Sequence, residues 1–185
     1  MHTHLDGRMV GKCLLQFIQP LFGSEMRQPY LKDILIFWRV LNSRGASMTQ
    51  RTCEFCKIVE KENDASIIFE DERTMAFLWT KAIAEGHTLV IPKVHYENIY
   101  GVPEDEIAHL FKIVKRVAVA VKKGLDADGI NIGQNNERAA DQTIFHLHVH
   151  VLPRFEGQKL PADDKLLEVN RQKREETANK IRATI

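Results

Sequence analysis

The distribution of apolar and polar positions predicts a chain built from short strands and one long helix. Short apolar runs between charged or glycine-containing breaks predict strands over 66–70, 74–79 and 87–91, which form an antiparallel meander. Two further strands are predicted over 129–134 and 145–152. The segregation of strands and helices along the chain predicts the α+β class.

The clearest helical pattern covers residues 104–123. Pro103 fits the first turn, and Lys122 and Lys123 followed by Gly124 mark the end. A weaker apolar stripe predicts a peripheral C-terminal helix in the charged segment 163–185. The apolar positions of the long helix follow the i, i+3, i+4, i+7 rule and are Ile107, Leu110, Phe111, Val114, Val117, Ala118 and Val121.

Charge divides the chain into parts. Residues 1–47 contain 6 Lys and Arg against 3 Asp and Glu, which leaves 20 against 22 for the remainder. We therefore predict an N-terminal extension over 1–47, one domain over 48–158 and a helical tail over 159–185. Three interpretations of the extension stay open: an upstream reading-frame extension before an initiator Met48, a targeting segment, or a partner-binding arm.

Composition limits the classes of function. The 44% hydrophobic and 28% charged residues are typical of a globular protein, and a net charge of +1 gives no general attraction to nucleic acid or membranes. No apolar run approaches the roughly 20 residues that span a bilayer. Three cysteines argue against a disulfide framework, so we expect a cytoplasmic protein. Any ligand specificity must therefore come from a local site.

Three histidines alternate with apolar residues in the last predicted strand. His146, His148 and His150 fall on one face of such a strand, and Leu147 and Val149 fall on the other. Neighbouring members of the row are about 6.6 Å apart, close enough for two of them to contact one phosphate. Two functions fit this arrangement: a catalytic zinc site, or direct nucleophilic and acid–base catalysis.

The sequence resembles the histidine-triad family. Its signature, three histidines alternating with apolar residues and followed by two more apolar residues, matches 146–152. Residues 85–93 resemble the strand that carries a fourth active-site histidine, here His87. The resemblance runs from about Cys53 to Arg154 and implies an antiparallel five-stranded sheet with one long helix and a C-terminal helix.

What the resemblance implies chemically is covalent catalysis on the α-phosphate of an adenosine nucleotide. His148 is the expected nucleophile, because a neutral imidazole attacks phosphorus without an auxiliary base. His150 and His87 are expected to flank the phosphate as catalytic residues. The expected substrate-binding residues on the phosphate side are Asn135, Gln142 and Thr143.

A second site is indicated by Cys53 and Cys56, which form a Cys-x-x-Cys motif. In a reducing compartment this spacing serves zinc ligation or redox exchange, and no βαβ context for redox exchange precedes it. The resemblance to zinc-bearing histidine-triad proteins, and more distantly to galactose-1-phosphate uridylyl transferase, supplies the other ligands. They are His95 and His146, which would close a structural zinc site.

The resemblance implies a hydrolase or transferase that releases AMP from a dinucleoside polyphosphate or another adenylylated compound, and that works as a homodimer. Leu152-Pro153-Arg154 is closer to the diadenosine polyphosphate hydrolases, where Arg154 would hold distal phosphates or lie on the surface. Trp79 occupies the usual ribose-contact position and is either a stacking residue or a core residue. Alternative functions are a nucleotide-binding sensor or scaffold with slow hydrolysis, and a zinc-dependent phosphohydrolase.

Overall fold

A computed structural model describes residues 52–159 and 167–185. The predicted boundary near Met48, the extension 1–47 and part of the predicted tail lie outside these ranges, so the division into domains stays a prediction. The described elements are α1 (Glu54–Val59), β1 (Ile67–Glu70), β2 (Thr74–Leu78), β3 (Lys81–Ala82), β4 (Thr88–Pro92), α2 (Glu104–Gly124), β5 (Gly129–Gly133), β6 (Val149–Arg154), β7 (Leu167–Glu168) and α3 (Arg171–Arg182).

Five strands form one antiparallel sheet in the order β1-β2-β4-β6-β5. The central pair consists of β4, which directly follows His87, and β6, which contains His150. The short strands β3 and β7 pair separately as a two-stranded sheet. The predicted α+β class, the five-stranded antiparallel sheet, the long helix and the C-terminal helix are confirmed.

The long helix α2 packs on the sheet, and its buried face differs in part from the prediction. Ile113 is buried with the core, whereas Phe111, which the pattern assigned to the apolar face, is 43% exposed. The buried stripe is centred on Leu110, Val114, Val117 and Val121, and Phe111 lies one residue, or about 100°, to the side of Leu110. Pro103 precedes the helix at the N-cap position instead of entering its first turn.

The last strand begins later than predicted, at Val149 instead of residue 145. The pairing of β4 with β6 stops at Val90 and Val149. Beyond that point Leu147 N–H donates to the carbonyl of Tyr96 at 2.6 Å, and Pro92 at the end of β4 has no N–H to continue the ladder. His146 and His148 therefore lie in the segment that leads into β6, before its first paired residue.

The C-terminal helix α3 is shorter than the predicted segment and packs on α2 and β1. Thr177, Ala178 and Ile181 are buried, and so is the long side chain of Arg174, whose Nε donates to the hydroxyl of Ser66 at 3.2 Å. No helix in the described part of the chain is long and apolar enough to cross a membrane.

Candidate active site and metal centre

The histidine segment separates core residues from site residues by simple alternation. Leu147, Val149 and Val151 are fully buried in the cluster beneath α2. The rings of His148 and His150 lie on the other side with their centroids 4.9 Å apart. The predicted common face therefore exists for these two residues, although only His150 belongs to a paired strand.

His148 and His150 line an open cleft of 760 Å³ together with His87. Gly133 of β5 pairs with His150 across the sheet, and nothing lies within 4 Å of the position that a Cβ would take there. The cleft thus stays open beside the histidines. Its other lining residues are Glu54, Trp79, Lys81, Ile83, Asn131, Ile132, Asn135, Asp141, Thr143, Ile144 and Leu152.

The orientation of His148 is fixed by a hydrogen bond to the backbone and by a contact with another ring. Its Nδ1 donates to the backbone carbonyl of His146 at 2.7 Å, which leaves Nε2 unprotonated in the neutral ring. The Phe55 ring packs edge-on against it at 5.3 Å between centroids. Burial lowers the pKa of His148, and the bond to the His146 carbonyl opposes that shift. His148 therefore presents a nitrogen lone pair to the cleft.

His87 and His150 form a hydrogen-bonded pair, with His87 Nε2 2.9 Å from His150 Nδ1. The backbone N–H of Ile83 donates to His87 Nδ1 at 3.4 Å, so the proton of neutral His87 is on Nε2. His87 then donates to His150, whose own proton is on Nε2. Burial is the main cause that lowers the pKa of His87 to about 3 and that of His150 to about 4, so both are neutral near pH 7.

The predicted phosphate-side residues occupy two different positions. Asn135 and Thr143 line the cleft. Gln142 is buried below it, where its Oε1 accepts from Glu137 N–H at 2.8 Å and its Nε2 donates to the carbonyls of Glu97 and Ile144. The Gln142 amide is thereby committed to the conformation of its own loop.

Trp79 lines the cleft, and Arg154 contacts one of its lining residues. Trp79 directly follows β2, lines the cleft, and packs edge-on against Phe55 at 5.5 Å between centroids. Arg154 donates to the side-chain oxygen of Asn131, a cleft residue, at 2.7 Å, and also lines a neighbouring cavity of 810 Å³. Trp79 is thus both a packing residue and a residue accessible from the cleft.

The four predicted metal ligands come together beside this cleft. The ligand atoms of Cys53, Cys56, His95 and His146 all lie within 4.8 Å of one another, and no other such group of His, Cys, Asp or Glu is found in residues 52–159 and 167–185. His146 Nε2 donates to the carbonyl of Pro92 at 2.9 Å, which turns Nδ1 towards both sulfurs. The triad thus divides between two sites.

The geometry of this cluster fits a tetrahedral zinc ion. Its sulfur–nitrogen distances are 3.3, 3.5 and 3.6 Å. Zinc bonds of about 2.3 Å to sulfur and about 2.0 Å to nitrogen at a tetrahedral angle require about 3.5 Å. Burial raises the pKa of the Cys56 thiol to about 12 and lowers that of His146 to about 4. A zinc site needs neutral imidazoles as ligands, and the zinc cation would stabilise the thiolates.

Sequence reasoning missed Phe55 and Ile83. Phe55 lies between the two cysteines, is fully buried, and contacts the rings of His146, His148 and Trp79. Its place in the Cys-x-x-Cys motif was the available signal. Ile83 acts through a backbone N–H, which no side-chain pattern reveals.

Two features define the histidine-triad class of α+β proteins. One is a five-stranded antiparallel sheet with one long helix, and the other is a row of alternating histidines divided between a cleft and a cysteine–histidine cluster. The HIT domain family model matches residues 60–157, more than half of the chain. This protein belongs to the HIT family.

Individual relatives agree with this assignment. A HIT-like protein of Methanocaldococcus jannaschii is 46% identical over 105 residues, which cover 57% of this chain and 81% of the relative. An adenylylsulfatase of Arabidopsis thaliana is 36% identical over 65% of this chain and 61% of its own length. A zinc-bound histidine-triad protein of Mycobacterium smegmatis superposes with a TM-score of 0.64 at 38% identity, over 73% of this chain and 94% of that one.

Proposed function

We propose that the protein is a nucleotide hydrolase or transferase that cleaves the α-phosphate linkage of adenosine nucleotides through a nucleotidyl-histidine intermediate. The observation that carries the proposal is His148, whose Nδ1 proton is bound to a backbone carbonyl while its ring lines the cleft. Substrates of the AMP-X type, including dinucleoside polyphosphates, fit this chemistry. The similarity to an adenylylsulfatase supports the same class.

The reaction has two steps. The Nε2 lone pair of His148 attacks the α-phosphorus, and the bond from phosphorus to the leaving group breaks. His150 Nε2–H donates a hydrogen bond to the departing atom, which leaves as an anion with the electron pair of the broken bond, and His87 holds His150 in this tautomer. Water then attacks the phosphorus, the electron pair of the phosphorus–nitrogen bond returns to His148 as the neutral imidazole, and the proton of the water passes to solvent. Asn135 and Thr143 stand in the cleft as donors to the phosphate oxygens.

Cys53, Cys56, His95 and His146 would hold a structural zinc ion. Bound zinc would supply a fixed tetrahedral junction and, with four protein ligands, no open position for water. The carbonyl of His146 orients His148, so a rigid His146 serves the nucleophile directly. This position favours an architectural role for the site over the zinc-dependent phosphohydrolase alternative.

A test of the proposal is a panel of adenylylated compounds assayed for AMP release. Wild type should release AMP from at least one compound, and His148→Ala should lower the rate by three orders of magnitude or more, as is usual for a lost nucleophile. Lys112→Arg, a change at an exposed position of α2 that lines neither the cleft nor the apolar edge, is the control and should retain the wild-type rate. Binding of AMP without turnover by wild type would instead favour the sensor or scaffold alternative.

We also propose a homodimer formed through β5 and α2. The strand β5 is an edge of the sheet, and Ile132 on it is 50% exposed beside Phe111 and Val119, which are 43% and 44% exposed. An apolar edge of this kind is normally covered. Ile132→Asp should convert a dimer to a monomer in analytical ultracentrifugation, and Ile132→Val should not. A wild-type monomer at micromolar concentration would contradict the proposal.

A further inference from the structure

The C-terminal segment, residues 167–182, contacts the loop that leads to His87. In this segment β7 pairs with β3, which lies in that loop, so that Ala82 is opposite Leu167. On α3, the hydroxyl of Thr177 lies 3.2 Å from Glu85 Oε1, and Lys173 Nζ lies 3.1 Å from Glu85 Oε2. The segment lies beyond residues 60–157, which the HIT model matches.

The same loop encloses His87 through backbone hydrogen bonds. His87 N–H donates to the carbonyl of Ala84 at 3.1 Å, and the carbonyl of His87 accepts from Trp79 N–H at 2.8 Å. Ile83 N–H donates to the ring at Nδ1. The loop conformation therefore sets which nitrogen of His87 can hold a proton.

The C-terminal segment also packs closely against the buried side of the loop that leads to His87. Ala82 is only 2% exposed, and Val169, Arg174 and Thr177 surround a small cavity together with Gly86 and His87. Gly86 has a φ of +84°, and a Cβ there would meet Leu125 at 2.2 Å. The turn before His87 thus has little freedom on either side.

A change of the His87 tautomer would reach the cleft. With the proton on Nε2, His87 donates to His150 Nδ1, and His150 presents its own Nε2 proton. With the proton on Nδ1, His87 Nε2 would accept from His150 Nδ1, and neutral His150 would then have no proton on Nε2. The direction of this one hydrogen bond decides whether His150 presents an N–H donor or a bare nitrogen to the cleft.

We propose that the C-terminal segment fixes the tautomer of His87, and through it the proton of His150, by holding the loop 80–86 at Glu85 and along β3. Glu85 and Thr177 are positioning residues in this arrangement. The effect on tautomers stands by itself, and the effect on rate rests on the proposed function.

The test is long-range proton–nitrogen NMR of the imidazoles in full-length protein labelled with ¹⁵N-histidine. In wild type, His87 and His150 should each show a protonated Nε2 and a bare Nδ1. The double variant Glu85→Ala with Thr177→Val removes the two side-chain contacts of Glu85 and leaves the β3–β7 pairing in place, and it should show a mixture of tautomers at both rings. Glu85→Gln with Thr177→Ser keeps an acceptor and a hydroxyl, and this control should give the wild-type pattern.

The rate supplies an independent measurement. The double alanine–valine variant should lose about 3- to 10-fold in kcat, the range for one lost hydrogen bond, with KM changed by less than about twofold. Should that variant fail to fold, Thr177→Val against Thr177→Ser tests the contact between Thr177 and Glu85 alone, with the same expected direction in tautomers and kcat. Unmixed wild-type tautomers in the folded variant would overturn the proposal.

Failure of this proposal is distinguishable from failure of the proposed function. Wild-type protein that shows the Nε2 tautomers but releases no AMP would overturn the hydrolase, while the NMR comparison still decides the role of the segment. Wild-type protein that releases AMP, with tautomers and kcat unchanged in the double variant, would overturn the role of the segment alone.

Discussion

At the residue scale, His146, His148 and His150 follow one another at every second position, yet each imidazole has a different hydrogen-bond partner. His146 uses Nε2 for the Pro92 carbonyl, His148 uses Nδ1 for the His146 carbonyl, and His150 uses Nδ1 for His87. Each bond leaves one nitrogen available. Nδ1 of His146 faces the cysteines, and Nε2 of the other two serves the cleft.

Burial of the neutral pair His87 and His150 makes stability depend on pH. The pKa values of about 3 and about 4 in the folded state compare with about 6.5 in an unfolded chain. The unfolded state therefore binds more protons below pH 6.5. Stability is fully present above that pH, and it falls as the pH drops towards 4, by about 1.4 kcal/mol per pH unit for each histidine.

His87→Gln should accordingly make the acid dependence shallower. Urea unfolding between pH 6 and pH 5 should show a slope smaller by about 1 kcal/mol per pH unit than in wild type. Thr143→Val, which alters the cleft without removing a titratable group, should keep the wild-type slope. Equal slopes in wild type and His87→Gln would show that His87 is not held neutral.

Motifs predicted some residues of the site but not others. Alternation placed His148 and His150 together, and Cys53, Cys56, His95 and His146 do lie together. Gln142 differs because its burial depends on the path of the loop 137–144, which no local spacing specifies. The catalytic, substrate-binding and metal-ligand roles of the predicted site residues stay proposals.

At the element scale, periodicity predicted the regular elements closely where they are long. The helix over 104–123 is observed as Glu104–Gly124, and the first three predicted strands, which are observed as β1, β2 and β4, begin and end within one residue of their predicted bounds. The helix α1, with six residues, and the strands β3 and β7, with two each, are too short to produce a period. Their formation depends on tertiary contacts.

Gly124 is required where α2 and α3 cross. A Cβ at this position would lie 2.7 Å from the carbonyl oxygen of Lys180 and 2.9 Å from the Cα of Ile181, both backbone atoms that cannot rotate away. Gly124→Ala should lower the free energy of unfolding by about 1–3 kcal/mol, less a few tenths gained from helix propensity. Gly101→Ala, with nothing within 4 Å, is the matched control in chemical denaturation. A Gly124→Ala variant as stable as wild type would refute the close crossing.

At the scale of the whole molecule, the cysteine–histidine cluster joins distant parts of the chain. Cys53 and Cys56 come from the start of α1, His95 follows β4, and His146 precedes β6. A shared ion would cross-link these three segments next to the nucleophile. Sequence could supply the ligand types through a resemblance, but their proximity is a property of the fold.

Removal of the metal should therefore destabilise the whole fold. At free zinc 100 to 1,000 times its Kd, chelation should cost about 3–4 kcal/mol of stability and lower the Tm measured by calorimetry. Cys53→Ser should reproduce this loss, and Glu54→Gln, a change of a neighbour outside the ligand set, should not. A Tm that is insensitive to both chelator and Cys53→Ser would contradict a structural zinc site.

The most direct test of the central claim is quench-flow mass spectrometry during turnover of an adenylylated substrate. Covalent catalysis by His148 predicts an AMP adduct on the peptide that contains this residue, formed and consumed at rates consistent with kcat. The adduct should be absent in His148→Ala, and turnover should be blocked in His148→Gly. Wild-type turnover with no trapped adduct would contradict covalent catalysis by this histidine. Activity that persists in His148→Gly would contradict it as well.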